Sequence, residues 1–234
     1  MNSAVFQAIY DGEALRDRKI DVEQLAPAML ALGELVREAN AIINGDQSKV
    51  RLLVKANHEH QCFDIWFEVI QTFYRQIKAL LGDNEVKTAK ELIEWLGLLI
   101  PPAGIGLFAF LKIRKGRKVA DVQKIIDEDK RGMVSVQIEG EQNRVAVNNY
   151  VLGLSENQKI QSAVSGVMVP LKSEGIDSLE FRSDDLDGFK IDDNAAYDIE
   201  LSCSTDEAEE KYDSQETEAH LEIYGPIFDA RAES

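Results

Sequence analysis

The chain has 234 residues, of which 44% are hydrophobic and 29% are charged, and its net charge is −16. This composition excludes a disordered chain, and the length allows one large domain or two small ones. The negative charge disfavours non-specific binding to nucleic acid, because carboxylates and phosphates repel each other. Two distant cysteines, and an N-terminus without a basic-then-apolar leader, predict a cytoplasmic protein with no disulfide and no signal peptide.

The acidity is concentrated in the last quarter of the chain. Residues 171–234 hold 20 acidic and 5 basic side chains, whereas residues 1–170 hold 22 acidic and 21 basic ones. Such a charge run is typical of a solvated face. Its alternative role would be to bind a basic protein partner or to mimic nucleic acid.

The N-terminal residues predict a small α+β domain. Ala4–Tyr10 reads as a strand, and a helix capped near Asp21 is predicted to begin at about Ala26 and to stop at Asn44–Asp46. A hairpin follows, with strands over the ranges Lys49–Ala56 and Cys62–Ile70. In its second strand Phe63, Ile65, Phe67 and Val69 share one face, whereas Cys62, Asp64, Trp66, Glu68 and Ile70 share the other. Helical spacing then runs from Ile70 through Leu80 to Gly82.

The middle of the chain predicts two helices joined by a break. Apolar residues recur at helical spacing from Val86 to Ile100, and Pro101-Pro102 must interrupt that helix. A second helix is predicted from about Leu107 through Asp129.

The range Trp95–Leu111 is the most distinctive stretch of the chain, with seventeen residues and no charge. Its length is close to the ~17-residue lower limit for a membrane-spanning helix, but the two prolines favour a kinked hairpin that dips into the bilayer surface. The alternative is a hairpin buried in a protein core or at an oligomer seam. The residues predicted to contact the membrane are Trp95, Leu99, Ile100, Ile105, Leu107, Phe108, Phe110 and Leu111.

A basic collar follows the apolar stretch directly. Five of the seven residues from 112 to 118 are basic, and near a membrane surface each would contribute about 1 kcal/mol of attraction to anionic lipid. The residues predicted to bind headgroups are Lys112, Arg114, Lys115, Arg117 and Lys118.

The remaining chain returns to strands and helices. A hairpin is predicted over Met133–Ile138 and Asn143–Val147, and a helix capped by Ser155 and Gln158 ends before Pro170. Short strands are predicted at the ranges Ser178–Phe181, Tyr197–Leu201 and His220–Tyr224. The chain is therefore predicted to be α+β, with two small mixed modules that flank a central apolar helical hairpin. Its parts are an N-terminal α+β domain over residues 1–83, the hairpin with its collar over 84–130, and an acidic C-terminal α/β module over 131–234.

The sequence predicts neither a catalytic site nor a metal or cofactor site. His58, His60 and Cys62 alternate along an extended chain and suit zinc, but no fourth ligand accompanies them. The acids from Asp184 to Asp193 lack the glycine and glutamate positions of a calcium loop. No nucleophile elbow or phosphate loop is present.

Several short stretches carry a resemblance to a known family. They are IYDGE (Ile9–Glu13), ALGELVREAN (Ala31–Asn40), CFDIWFEV (Cys62–Val69), the apolar stretch with its collar, and Val169–Leu171 with Gly175–Asp177. In this order they resemble a family of uncharacterised bacterial and phage-borne proteins, which has no assigned activity. The resemblance implies a role in conflict between bacteria and phages, and further strands after Leu221–Phe228, so that the C-terminal module would be incomplete.

The sequence leads to two hypotheses about function. The first is a non-enzymatic cytoplasmic protein, peripheral to the inner membrane, which acts as an effector or sensor through the hairpin. The second is a soluble oligomeric interaction protein that self-associates through the hairpin and binds a basic partner through its acidic part. Neither hypothesis requires a cofactor or nucleic acid.

Overall fold

The structure is a computed structural model and describes residues 2–17, 19–55, 63–73, 86–125, 132–183 and 186–204. Within these ranges the chain forms helices and two antiparallel sheets, so the predicted α+β class is confirmed. The predicted arrangement of two modules flanking a hairpin is not confirmed, because strands from both ends of the described chain share one sheet.

The first four elements follow the predicted order. They are β1 (Asn2–Asp11), α1 (Val22–Asn44), β2 (Ser48–Lys55) and β3 (Phe63–Phe73). Helix α1 begins earlier than predicted because the Asp21 side chain caps it, accepting a hydrogen bond from the backbone N–H of Glu23 at 2.9 Å. It ends at Gly45, in the predicted stop.

Strand β3 extends further than the sequence predicted. The sequence predicts a helix after Ile70, but Phe73 still pairs with Ser48 of β2. Backbone pairing with a neighbouring strand has overridden the local helical spacing. The rest of that predicted helix, up to Gly82, lies outside the described residues.

Two short helices contain the two ends of the apolar stretch. α2 spans Ala89–Leu96 and α3 spans Leu107–Arg114. α2 stops before the prolines because Gly97 adopts a left-handed conformation with φ of 82°.

The long second helix predicted through Asp129 is wrong from Lys115 to Ile125, and its last residues lie outside the described ranges. Lys115 and Gly116 have φ of 50° and 75°, which ends the helix. The chain then continues as strand β4 (Val119–Lys124), where β-branched valines favour a strand.

The second sheet has the strand order β4-β5-β6, in which β5 spans Met133–Ile138 and β6 spans Arg144–Asn148. The predicted hairpin of β5 and β6 is confirmed. Helix α4 (Asn149–Ser155), which was not predicted, follows β6 directly.

The next helix, α5, spans Gln158–Val167, and Asn157 caps it instead of the predicted Ser155. Its N-cap side chain accepts from the backbone N–H groups of Lys159 and Ile160. The chain then passes through a single 3₁₀ turn at Val169–Lys172.

The described chain ends with β7 (Ser178–Ser183), β8 (Leu186–Asp192) and α6 (Asp193–Cys203). Strand β7 was predicted and β8 was not. The strand predicted at Tyr197–Leu201 is wrong, because these residues lie within α6, which Asp192 caps by accepting from the Ala195 N–H at 2.8 Å. The strand predicted at His220–Tyr224 lies outside the described residues.

The larger sheet has the order β2-β3-β1-β7-β8, and all its neighbours are antiparallel. In the register Phe6 lies opposite Phe67, and Ala8 lies opposite Phe181. These side chains share one face because side chains alternate along a strand. The helices cover this face, where Phe108 of α3 packs on Phe181 with ring centroids 5.6 Å apart.

One hydrophobic core joins the described elements. Leu35 of α1, Val69 of β3, Phe108 of α3, Val136 of β5 and Val164 of α5 are all fully buried members of it. The core therefore includes residues from all three predicted parts of the chain.

Candidate functional site

Both arms of the apolar stretch lie in the protein core. Leu107, Phe108, Phe110 and Leu111 are fully buried, and Leu99 is 4% exposed. In this fold these side chains contact protein and not lipid, as the alternative interpretation of a buried hairpin expects. Lipid contact by the arms would require the core to open, and it stays a prediction. Within the described ranges, no helix combines the length and apolar character that a membrane span needs.

Trp95 and Ile105, which were also predicted to contact lipid, contact other parts of the protein instead. Trp95 stacks on Tyr150 of α4 with ring centroids 4.8 Å apart. Ile105 is half-buried and forms an isolated parallel bridge with Val147 of β6. Both therefore attach the apolar stretch to the smaller sheet and its following helix.

The exposed part of the apolar stretch is a loop that we call the elbow, residues 100–104. Ile100 is 52% exposed, and Pro102, Ala103 and Gly104 are exposed as well. The elbow has no charged or polar side chain. It is thus an apolar surface loop between two buried arms.

Gly97, Gly104 and Gly106 allow close backbone contacts at the base of the elbow. A Cβ at Gly106 would lie only 2.4 Å from the Gly97 Cα, so the backbones that lead into and out of the loop touch. A Cβ at Gly104 would meet Met133 at 2.4 Å and the backbone oxygen of Ala146 at 3.1 Å. Only glycine allows these approaches, which hold the loop against the β5–β6 sheet.

The basic collar is largely occupied by contacts within the chain. Arg114 is 8% exposed and donates to the backbone oxygen of Ser155 at 3.2 Å. Arg117 donates to the Arg114 backbone oxygen at 3.1 Å and pairs with Glu141 at 2.6 Å. Arg117 thus satisfies backbone oxygens at the C-terminal end of α3, and Arg114 satisfies one at the end of α4, where positive charge is favourable.

The acidic C-terminal part supplies a further partner for the collar. Lys115 pairs with Asp198 of α6 at 3.0 Å, and Lys172 pairs with Glu200 at 2.7 Å. Among the described residues, Lys115 and Arg117 form ion pairs and Arg114 forms hydrogen bonds, whereas the side chains of Lys112 and Lys118 form neither. Headgroup binding by the collar stays a prediction.

Helix α6 is also hydrogen-bonded to the end of α3. The Ser202 hydroxyl donates to the Leu111 backbone oxygen at 2.7 Å and accepts from the Gly116 N–H at 2.9 Å. The acidic part and the apolar stretch are consequently packed as one unit.

A buried amide network secures the entry to α2. The Asn44 side chain accepts from the Lys87 N–H at 2.8 Å and donates to the Lys87 backbone oxygen at 3.1 Å. Gln71 donates to the same oxygen at 2.8 Å and to Ser48 at 3.1 Å. The network joins α1, β2 and β3 to the segment before Thr88.

A second surface is the face of the larger sheet opposite the helices, which we call the outer face. Gln7 and Trp66 lie opposite each other there. Gln7 is 3% exposed and accepts from the Nε of Arg182 at 3.0 Å. Trp66 is 8% exposed, and neither its Nε1 nor the buried Oδ1 of Asp64 has a hydrogen-bond partner in the described structure.

The histidines weighed as metal ligands, His58 and His60, lie outside the described residues, as does Cys62. Among the residues that the structure describes, no group of three or more His, Cys, Asp or Glu side chains is placed to hold a metal ion.

The fold and the two surfaces define an α+β protein with an apolar elbow and a polar outer sheet face. Comparisons with protein-family models, with curated proteins and with solved structures give no match.

Sequence reasoning found the elbow but missed the burial of the polar atoms of Asp64 and Trp66. Their common face was visible in the alternation along β3, which the register confirms. Their burial was not visible, because it depends on the neighbouring strands β1 and β2.

Proposed function

We propose that this protein acts by binding a protein partner through its elbow, and that it is not an enzyme. The exposed, uncharged elbow on a glycine-braced base is the observation that carries this proposal. Exposed apolar patches on a folded protein are typical of interaction sites, and loops held by a rigid scaffold commonly supply the contact residues.

The free energies favour a protein partner over the bilayer. Lys112 and Lys118 together offer about 2 kcal/mol of attraction to anionic lipid, and burying the exposed half of Ile100 adds about 1 kcal/mol. A single myristoyl chain, with a binding constant of about 10⁴ M⁻¹ or ~5.5 kcal/mol, is itself only a marginal anchor. The net charge of −16 also opposes approach to an anionic surface.

Charge also indicates the kind of partner. A chain with this net charge is attracted to a basic surface, and complementary charge speeds association. We therefore propose a partner that places an apolar pocket on Ile100 and basic side chains around it.

Peripheral association with the inner membrane is the second candidate, because Ile100 and the prolines present no charge to a bilayer. A role in bacterial conflict with phages stays a prediction from the resemblance, since no comparison tests it.

Photo-cross-linking tests the proposal and separates the two candidates. A photoreactive amino acid replaces Ala103 in the elbow or, as a matched control, the exposed Gln142 in the β5–β6 turn, in bacterial cells that express the full chain. We expect protein adducts from position 103 that are absent at 142 and weakened by Ile100→Ser. Adducts with lipid alone would favour the membrane, adducts between copies of the chain would identify self-association, and equal labelling at both positions would refute a role for the elbow.

A further inference from the structure

Among the described strands, β4 forms the open edge of the smaller sheet. It is the outermost strand in the order β4-β5-β6, and its residues from 120 to 124 are all exposed. The opposite edge is partly covered, because Ile105 bridges Val147 of β6. An uncovered edge strand presents unpaired backbone groups and is therefore a template for a further strand.

The backbone of β4 points alternately toward β5 and away from it. The Ile125 N–H donates to a backbone oxygen of β5 at 3.4 Å. Alternate residues of a strand direct their backbone groups to opposite sides, so Gln123 also faces β5, whereas Val122 and Lys124 face outward. The Val122 N–H interacts with the Asp121 carboxylate, but no strand in the described ranges pairs with the outward groups of Lys124.

The two faces of β4 differ in character. On one face Val122 lies opposite Val136, which is fully buried, yet Val122 itself is 42% exposed. On the other face Asp121 pairs with Arg144 at 2.9 Å. A strand that fits this edge therefore needs apolar side chains on one face and polar ones on the other.

Residues 220–224 of the same chain, with the sequence HLEIY, have this alternation. Leu221 and Ile223 share one face, whereas the His, Glu and Tyr side chains of this range share the other. The sequence predicts a strand at this range, which lies outside the described residues. Its five residues equal the number from 121 to 125, which follow the irregularity in the register of β4.

The chain leaves the described fold close to the start of β4. The Ser202 hydroxyl accepts from the Gly116 N–H at 2.9 Å, and β4 begins three residues after Gly116. The 15 residues from 205 to 219 can extend to about 50 Å, whereas β4 is only about 20 Å long. They hold seven acidic side chains and one basic one, which complement the exposed cations Lys118 and Lys124 of this edge.

We propose that residues 220–224 add to β4 as a fourth strand of the smaller sheet and close its open edge. Attachment to the same chain favours this segment over a separate peptide, because a tether gives an effective concentration on the order of millimolar. A second copy of the protein is a weaker occupant, because two chains of net charge −16 repel each other. This edge does not include the elbow, so its occupancy is tested independently.

Amide hydrogen exchange of the ¹⁵N-labelled full chain, followed by NMR, measures this pairing at Lys124. A fourth strand would protect the Lys124 N–H, whereas the Gln123 N–H faces β5 and serves as an internal reference. We expect the double variant Leu221→Ser, Ile223→Ser to raise the exchange rate of Lys124 at least tenfold and to leave that of Gln123 within twofold. The matched control is Glu222→Ser, on the other face of the same segment, which should leave both rates within threefold.

The wild type provides a second measurement, which does not depend on how the variants fold. Strand pairing would give nuclear Overhauser contacts between backbone protons of β4 and those of residues 220–224. An unprotected Lys124 N–H in the wild type, contacts of this edge with another segment, or protection that the double variant leaves unchanged would overturn the proposal. Protection that rises with protein concentration would place a second copy on the edge, and would overturn it too.

Discussion

Replacing Gly106 with alanine is expected to destabilise the protein by about 2 kcal/mol, within the ~1–3 kcal/mol typical of overpacking. The new Cβ would lie 2.4 Å from the Gly97 Cα, 2.7 Å from the Gly97 N and 3.0 Å from the Glu94 backbone oxygen. All three are backbone atoms, so no side chain can rotate away, and α2 and α3 must separate. The φ of Gly106 is −80°, which alanine adopts freely, so the loss arises from the contact alone.

Gly153 provides a matched control within the same chain. It lies in α4, and a Cβ there would meet no described atom within 4 Å. Gly153→Ala is therefore expected to stabilise the protein by about 0.4–1 kcal/mol, because alanine restricts the unfolded chain.

Urea unfolding of the full chain, followed by Trp fluorescence and by circular dichroism, measures both effects. Thermal unfolding gives the same effects as shifts in the midpoint Tm, since for a chain of this size about 1 kcal/mol corresponds to ~2–4 °C. Gly106→Ala should therefore lower Tm by ~4–8 °C, while Gly153→Ala raises it. If Gly106→Ala matched the wild type, or if both variants changed stability in the same direction, the close contact at the elbow's base would be refuted.

Two further predictions concern buried polar groups. Asn44→Ala leaves the Lys87 N–H without its acceptor at 2.8 Å and should lower stability in urea by about 1–3 kcal/mol, whereas the exposed Asn143→Ala should change it by less than about 0.5 kcal/mol; similar losses in both variants would contradict the role of the network. Burial raises the pKa of Glu94, so the native state binds this proton more tightly than the unfolded chain, and stability is lost as pH rises through the native pKa. We therefore expect Glu94→Gln to be more stable than the wild type at pH 7, with an advantage that shrinks as pH falls to 4; an advantage independent of pH in urea unfolding would argue against this origin.

The alternation of apolar residues and the turn residues predicted those elements whose form depends on neighbouring residues in the sequence. Strand β1, the stop of α1 at Gly45 and the hairpin of β2 and β3 follow from alternation and turn residues, and the structure has them all. The signals failed where pairing or packing with distant residues decides, as in the extension of β3 to Phe73. Helix α6 was missed for the same reason, because Ser202 and Asp198 meet the end of α3 only in the folded chain.

The candidate sites divide in the same way. The prolines predicted the break between the two helices, and the structure places Ile100 of the elbow at the surface. The partnerless atoms of Asp64 and Trp66 had no sequence signal, because their environment is created by strands that are distant in the chain.

From the sequence alone it follows that this acidic chain contains one long uncharged stretch, which is broken at its centre and followed by cations. The difference in charge between the first 170 residues and the rest follows from it as well. What these features contact depends on the tertiary fold. Burial depends on which faces pack together, and here the arms of Trp95–Leu111 fill the space between the sheets and helices. Ion pairing depends on distance in space, and the fold brings Asp198 and Glu141 to the collar, so that only the elbow of the apolar stretch remains open to a partner.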